Sequence, residues 1–177
     1  MPPAATPAGR PAIGWREWVA LPDWDIPSVK AKVDTGARTS SLHAYDVEEF
    51  RARGRTMVRF SVHPEQRNAR HAVHVEAPLH EHRRVRSSNG HVEQRPVVTV
   101  HIELAGQRWP VELTLTNRDE MGFRMLLGRQ ALRGRFAVDP GRSFVGGRRI
   151  KGTRRIKAPR AIGKPAARHR LPKKGTP

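Results

Sequence analysis

The 177-residue chain contains no cysteine, a single tyrosine and an aromatic fraction of only 6%. Without a thiol, the protein has no disulfide framework and no thiolate that could serve as metal ligand or nucleophile. No apolar run reaches the roughly 18 residues of a membrane-spanning helix, and residues 1–13 lack the apolar stretch of a secretory signal. These absences predict a soluble, cytoplasmic protein that has no membrane partner.

Acidic residues are missing from the C-terminal part of the chain. The formal net charge is +18, yet all 16 Asp and Glu precede residue 140, whereas residues 142–177 hold 13 Lys and Arg. Residues 13–141, with 20 Lys and Arg, are nearly balanced. The basicity therefore belongs to a tail. Such a tail could contact nucleic acid or the ribosome electrostatically, or it could serve only as a solubilising extension.

Short alternating apolar segments, separated by Gly, Pro and Asn, predict an all-β domain at residues 13–148. A Pro/Ala-rich leader at 1–12 and the basic tail at 149–177 are expected to be disordered. A turn is predicted near 46–49 and one short helix at 130–135. The predicted strands span residues 14–21, 29–33, 39–45, 55–62, 71–75, 96–104, 109–116, 136–139 and 142–145. Many short strands with little helix favour a small barrel or sandwich.

The strongest local signal is Asp34-Thr35-Gly36, which ends a β-branched approach. The strand would deliver a carboxylate, and the threonine hydroxyl could fix the turn that follows. The glycine allows close backbone approach or a positive φ. Taken alone, the tripeptide more often marks an ordinary turn with a solvated aspartate.

A second apolar segment, Met125-Leu-Leu-Gly128-Arg129, runs into Gly-Arg and then into the predicted helix. Together with Asp-Thr-Gly-Ala it resembles the two signatures of retropepsin-like aspartic proteases. Residues 14–19, 30–43 and 94–97 resemble a bacterial family that is catalogued as RimK-associated or "ATP-dependent zinc protease". The resemblance covers residues 13–148 and implies a small closed barrel of the retropepsin type.

The resemblance further implies an aspartic endopeptidase, a hydrolase that needs no cofactor. Two carboxylates must share one proton in such enzymes. Because the chain has one Asp-Thr-Gly, a homodimer would supply Asp34 twice. Thr35 and Gly36 would complete the catalytic loop, and Thr39, Gly128 and Arg129 would support it. The substrate-binding residues would be Ala37 and Arg38, together with Ser88, Asn89 and Gly90 at the tip of a flap hairpin.

Arg38 stands where viral relatives carry an acid that pairs with the arginine of Gly-Arg. Arg129 is therefore expected to find another partner, Asp119 or Glu120. Clustered arginines suit carboxylates through bidentate pairing, which predicts an acidic peptide or protein substrate such as a glutamate-rich tail. The same arginines would equally suit a solvated flap surface. The cluster comprises Arg38, Arg83, Arg84, Arg86 and Arg95.

Nine histidines raise the question of zinc, and the family label encourages it. Catalytic zinc needs three protein ligands, and neither His71 with His74 nor His80 with His82 has a spacing that provides them. No metal site is predicted, and His43 is expected near the cleft. Two alternatives remain open: a non-catalytic module that binds an acidic partner or ribosomal RNA, and a zinc metallopeptidase.

Overall fold

The computed structural model describes residues 9–65, 71–86, 90–117 and 122–150. In these ranges the chain forms twelve strands, one short α-helix and a 3₁₀ turn at Pro22–Trp24. No described helix is long and apolar enough to cross a membrane. The elements are β1 (Ala12–Gly14), β2 (Arg16–Leu21), β3 (Ile26–Asp34), β4 (Ser40–His43), β5 (Tyr45–Ala52), β6 (Arg55–Val62), β7 (Val73–Pro78), β8 (Glu81–Arg86), β9 (Val92–Leu104), β10 (Gln107–Thr116), β11 (Met125–Gly128), α1 (Arg129–Leu132) and β12 (Ala137–Asp139).

Six of the strands pair in a ring, in the order β9, β10, β4, β11, β3 and β2. The ring closes where Ala20 of β2 pairs with Glu103 of β9. Two of its pairings, β3 with β11 and β4 with β10, are parallel, and the others are antiparallel. β8 pairs with the first part of β9 as a hairpin that extends this sheet. The predicted all-β, retropepsin-like fold with one short helix is confirmed.

Two smaller sheets accompany the ring. β5, β6 and β7 form an antiparallel sheet, and β1 pairs in parallel with β12. The alternation expected in residues 96–104 is realised, because Val98, Val100, Ile102 and Leu104 are buried and join the core with residues of β10. Burying a large apolar side chain contributes about 1.5–3 kcal/mol, so this interior is the main source of stability.

Three predicted elements differ from the structure. Residues 46–49 belong to strand β5 rather than to a turn. That strand is mostly exposed and bonds to β6 alone, so its sequence lacks the apolar alternation of an inner strand. Residues 142–145 form no strand. Helix α1 begins one residue before the predicted start and ends at Leu132, because Arg133 leaves the helical region with a ψ of 127°.

The segment that follows β12 is fixed to β2 by a buried carboxylate. Glu17 is fully buried, and its two oxygens accept N–H bonds from Gly14 at 2.6 Å, Val145 at 2.9 Å and Gly146 at 3.1 Å. A buried carboxylate is tolerated when backbone donors satisfy it in this way. The C-terminal described residues therefore lie against the ring, although they add no strand to it.

Candidate active site

Asp34 is the last residue of β3, and its carboxylate organises the turn that follows. Oδ1 accepts hydrogen bonds from the N–H groups of Gly36 at 3.0 Å and Ala37 at 3.1 Å. Asp34 is half-buried, whereas Thr35 and Gly36 are exposed. Among the described ranges, no residue donates a hydrogen bond to the second oxygen, Oδ2. The turn thus presents one carboxylate oxygen that is free for chemistry.

Gly36 lies close to the Asp34 carboxylate, which leaves little room for a side chain at this position. Its φ lies outside the left-handed region, but a Cβ at this position would stand 3.1 Å from Asp34 Oδ1. That contact is shorter than ordinary packing and would displace the oxygen that holds the turn. The glycine therefore lets the chain fold tightly around the carboxylate.

Gly128 places the second signature beside the first. It pairs with Asp34 where β11 runs parallel to β3, and its N–H donates to Ser40 Oγ at 3.1 Å. A Cβ on Gly128 would lie 2.4 Å from the carbonyl oxygen of Thr39, so no other residue fits without moving the backbone. The structure thus brings Asp34, Thr39 and Gly128 together. Ser40 was missed from the sequence, although it directly follows Thr39 as a hydroxyl residue.

Arg129 supports the Asp34 loop by donating hydrogen bonds to carbonyl groups of that loop. Its Nη1 donates to the Thr35 and Gly36 carbonyl oxygens, each at 2.9 Å. The backbone N–H groups of Arg129 and Gln130 donate to the carbonyls of Ala37 and Arg38. The observed partners of the Arg129 side chain are therefore carbonyl oxygens. The acids expected to pair with it, Asp119 and Glu120, lie outside the described residues.

A pocket of about 500 Å³ adjoins this loop. Its wall combines four arginines with an apolar floor from α1 and the residues after it. Arg38 is exposed, and none of the described acids pairs with it. The basic character of the pocket suits a carboxylate-bearing ligand. The lining residues are Arg10, Thr35, Arg38, Arg129, Gln130, Leu132, Arg133, Gly134, Phe136 and Val138.

The β8–β9 hairpin was predicted as the flap. Its last described pair is Arg86 with Val92, and exposed Gly90 adopts a φ of +82°. Two tip residues that were expected to bind substrate, Ser88 and Asn89, lie outside the described residues. The hairpin that the resemblance implies is present, because β8 and β9 pair in antiparallel fashion.

Two of the hairpin arginines already have partners. Arg83 contacts Glu81 and Glu112, and the buried Arg95 contacts Glu93. Burial opposes the charge on Arg83, but hydrogen bonds to Glu112 and Glu81 outweigh it and raise its pKa above the ordinary value. These two side chains stabilise the hairpin itself. Arg84 and Arg86 are exposed and have no ion pair within the described part of the chain.

The histidines do not form a metal centre in the described ranges. No group of three or more His, Asp or Glu is close enough there to hold an ion. His80 and His82 instead contact Glu112 and Glu49. His43 is 2% exposed, and its ring packs edge-on against Tyr45 at 4.4 Å between centroids. The position of His43 is therefore that of a packed core residue.

The chain is similar to part of several longer bacterial proteins. One, from Shewanella halifaxensis, is named "Probable alpha-L-glutamate ligase" and is 47% identical over 132 residues. The match covers 75% of this chain but 29% of that relative. A protein of the same name from Parasynechococcus marenigrum is 46% identical over 128 residues, which cover 72% of this chain and 28% of the relative. The chain thus spans less than a third of these relatives.

A solved structure shares the fold over nearly its whole length. It is Lpg0085 from Legionella pneumophila, a protein described as having unknown function, with 29% identity and a TM-score of 0.65. The alignment covers 78% of this chain and 99% of that one. Residues 12–149 match a family model described as "Retropepsin-like aspartic endopeptidase RimB". The chain therefore belongs to the RimB-like family of retropepsin-like aspartic endopeptidases.

Proposed function

We propose that the protein is an aspartic endopeptidase whose catalytic dyad is formed by Asp34 from two subunits. The observation that carries the proposal is the Asp34 turn. Its Oδ1 is held by two N–H groups while Oδ2 accepts nothing from the described residues, and Arg129 and Gly128 fix the backbone around it. Membership in a family of aspartic endopeptidases supports the same assignment.

The chemistry requires two such carboxylates close together, because neighbouring acids cannot both ionise and so share a proton. The ionised member takes a proton from water, and the resulting nucleophile attacks the peptide carbonyl. When the tetrahedral intermediate collapses, the C–N bond breaks and this proton passes to the leaving amine. The protonated member donates a hydrogen bond to the carbonyl oxygen. One chain has a single Asp-Thr-Gly, so a symmetric dimer completes the site and a monomer is inactive.

The proposed substrate is a glutamate-rich segment of a peptide or protein. The relatives named "Probable alpha-L-glutamate ligase" contain a region similar to this chain within a protein more than three times as long as the match. A ligase that adds glutamate and a peptidase that removes it would act on the same acidic tail. Linking two such activities in one chain raises the local concentration of that tail at both sites.

The pocket beside Thr35 supplies the chemical basis for this preference. Arg38 and Arg133 line it together with Arg10, and Arg38 has no acid partner among the described residues. A guanidinium can bind a carboxylate through two parallel N–H bonds. Acidic side chains near the scissile bond are therefore proposed to bind in this pocket.

The test is cleavage of oligo-glutamate peptides and neutral peptides of equal length by wild type and by Asp34→Asn. Activity should fall by at least a thousandfold in the Asn variant, because it removes the proton-sharing carboxylate. Asp139→Asn is a matched control, since Asp139 Oδ1 accepts the Gly141 N–H at 2.9 Å in a turn like that of Asp34. Full activity in Asp34→Asn would refute the mechanism.

Sedimentation and chelation distinguish the rival functions. A dimer whose activity is indifferent to chelator and lost in Asp34→Asn fits the proposal. Chelator-sensitive activity would instead indicate a metallopeptidase. A well-folded monomer that binds acidic peptides without cleaving them would indicate a binding module. Arg38→Gln should lower cleavage of the acidic peptide selectively, whereas equal cleavage of acidic and neutral peptides would refute the preference.

A further inference from the structure

We propose that the outer face of β2 and β3 is a binding surface for single-stranded RNA. The face carries a row of cationic side chains separated by pairs of aromatic rings, here termed the cation–aromatic ladder. It does not include the Asp34 turn, and the proposed peptidase chemistry does not use it. In order of contact, the ladder consists of Arg149, Trp18, Phe144, Arg16, Trp15 and Phe123, with Lys30 beyond Phe123.

The centre of the ladder is Arg16. Its guanidinium carbon lies 4.6 Å from the Trp15 ring centroid and 5.1 Å from that of Phe144. Its Nε donates to Ser143 Oγ at 3.1 Å. Stacking uses the face of the guanidinium and leaves its remaining in-plane N–H groups available for a phosphate oxygen. The aromatic rings therefore hold Arg16 in a conformation that is suited to a phosphate.

Phe144 is held in the ladder by an unusual backbone conformation. Its φ is +54°, which is uncommon for a bulky residue, and its N–H donates to the Arg16 carbonyl at 2.9 Å. The ring stacks on Trp18 with centroids 5.3 Å apart and planes inclined by 17°. Such backbone conformations persist where surrounding contacts impose them, and they are frequent at functional sites.

An anion bound on this face would be attracted by two neighbouring cations. Arg16 lies directly opposite Lys32 where β2 pairs with β3. Like charges in such cross-strand pairs are destabilising. Lys32 is exposed, and no acid among the described residues pairs with it. A bound phosphodiester chain would relieve this repulsion by neutralising both cations.

The basic tail continues from the same face. Ile150, the last described residue, accepts a hydrogen bond at its carbonyl from Ser28 Oγ on β3 at 3.0 Å. Beyond it the chain carries ten more Lys and Arg and no acid.

The aromatic residues favour RNA over an acidic peptide. A glutamate-rich peptide needs only cations, whereas nucleic-acid bases also stack on aromatic rings and on guanidinium planes. A row that combines both kinds of group offers contacts for the phosphates and for the bases of a single strand. Single-stranded RNA is therefore the proposed ligand, and the test below distinguishes it from an acidic peptide.

The test measures fluorescence anisotropy of a labelled oligouridylate of about 12 nucleotides with the full chain at several salt concentrations. Arg16→Gln/Lys32→Gln should weaken binding roughly tenfold and reduce the salt slope by about 0.7 for each lost phosphate contact. Arg51→Gln/Arg55→Gln removes the same charge from the β5–β6 hairpin and should change the affinity by less than about twofold. Equal losses in the two double variants would show diffuse charge alone and overturn the proposal.

Phe144→Leu tests stacking without a change of charge. Affinity should fall at least about fivefold with the salt slope unchanged, while circular dichroism confirms that the fold is retained. If this variant unfolds, Trp15→Leu, at the next ring of the ladder, provides the same measurement. Unchanged RNA affinity in a folded ring variant overturns the proposal. So does an oligo-glutamate of equal charge that binds as tightly as the RNA and competes with it. Peptidase assays are not involved, so the outcome is independent of the proposed catalytic function.

Discussion

Glu17 and Asp34 are both carboxylates that accept hydrogen bonds from backbone N–H groups. The two regions differ in how many of the carboxylate oxygens those bonds occupy. Glu17 is 0% exposed, and three donors occupy its two oxygens. Asp34 is half-buried, and its two donors share one oxygen. A carboxylate with both oxygens committed can only hold structure, whereas one with an open oxygen can also accept a proton or a substrate bond.

The surroundings of the two groups explain this difference. The region around Glu17 depends strongly on the carboxylate, because this one side chain accepts the N–H groups of Gly14, Val145 and Gly146. The Asp34 carboxylate also holds its own turn, but that turn is additionally fixed from outside, by the side chain of Arg129 and by the close contact of Gly128 with Thr39. The fold should therefore need the charge of Glu17 far more than that of Asp34.

The largest effect should come from Glu17→Ala. The substitution leaves one buried and two partly buried N–H groups without an acceptor and opens a cavity, and it should lower the free energy of unfolding by about 3–5 kcal/mol. Asp34→Asn should change it by less than about 1 kcal/mol, since the amide oxygen can still accept both bonds. Chemical denaturation measures both, with exposed Glu103→Ala as control for β9. Similar losses for Glu17→Ala and Asp34→Asn would remove the distinction between the two regions.

Gly128→Ala should have the next largest effect. The new Cβ would lie 2.4 Å from the Thr39 oxygen, which is backbone and cannot rotate away. Overpacking of this kind costs about 2–3 kcal/mol, and the forced shift should also move the Asp34 turn. Stability and peptide cleavage should therefore decline together, unlike in Asp34→Asn. Normal cleavage by a destabilised Gly128→Ala would show that the turn does not depend on this contact.

The sequence predicted the Asp34 region well because its signals are local. A strand that ends in Asp-Thr-Gly and a strand that ends in Gly-Arg each determine their own turn, and their resemblance to a known pair placed them together. The roles of Ser40 and of the Arg129 side chain escaped prediction. Both depend on which backbone groups become neighbours after β3, β4 and β11 pair, and periodicity carries no such information.

The sequence predicted the ladder region poorly for the same physical reason. Phe144 is the sole aromatic residue after residue 141, so the tail alone offers little for base stacking. In the structure Phe144 stacks on Trp18, a residue far away in the chain. The arginines of the hairpin show that residues which look alike in sequence can differ in their contacts. A run of Arg83, Arg84 and Arg86 looks uniform in sequence, but only Arg83 is held by two glutamates.

A smaller effect on stability, with a larger one on activity, is expected for Arg129→Gln. The side chain is exposed and donates to two carbonyls, so its removal should cost about 1 kcal/mol of unfolding free energy. Cleavage should fall more than tenfold, because the loop loses the group that orients it. Arg59→Gln, which breaks an exposed pair with Glu76, is the control and should leave cleavage unchanged. Wild-type cleavage by Arg129→Gln would mean that Gly128 alone fixes the turn.

The smallest effect concerns Asp23, an exposed carboxylate whose two oxygens both accept hydrogen bonds. The backbone N–H of His101 donates to it and lowers its pKa; partial burial opposes this shift, and His101 and Arg108 side chains reinforce it. A lowered folded-state pKa means that ionised Asp23 stabilises the protein fully above its unfolded pKa of about 3.9, and that this contribution disappears as the pH falls through the folded value. Asp23→Asn should therefore lower the melting temperature at neutral pH by the equivalent of at most about 1 kcal/mol. The difference from wild type should shrink below about pH 4. A difference that is constant from neutral to acidic pH would show that the aspartate acts through its shape and hydrogen bonds rather than through its charge.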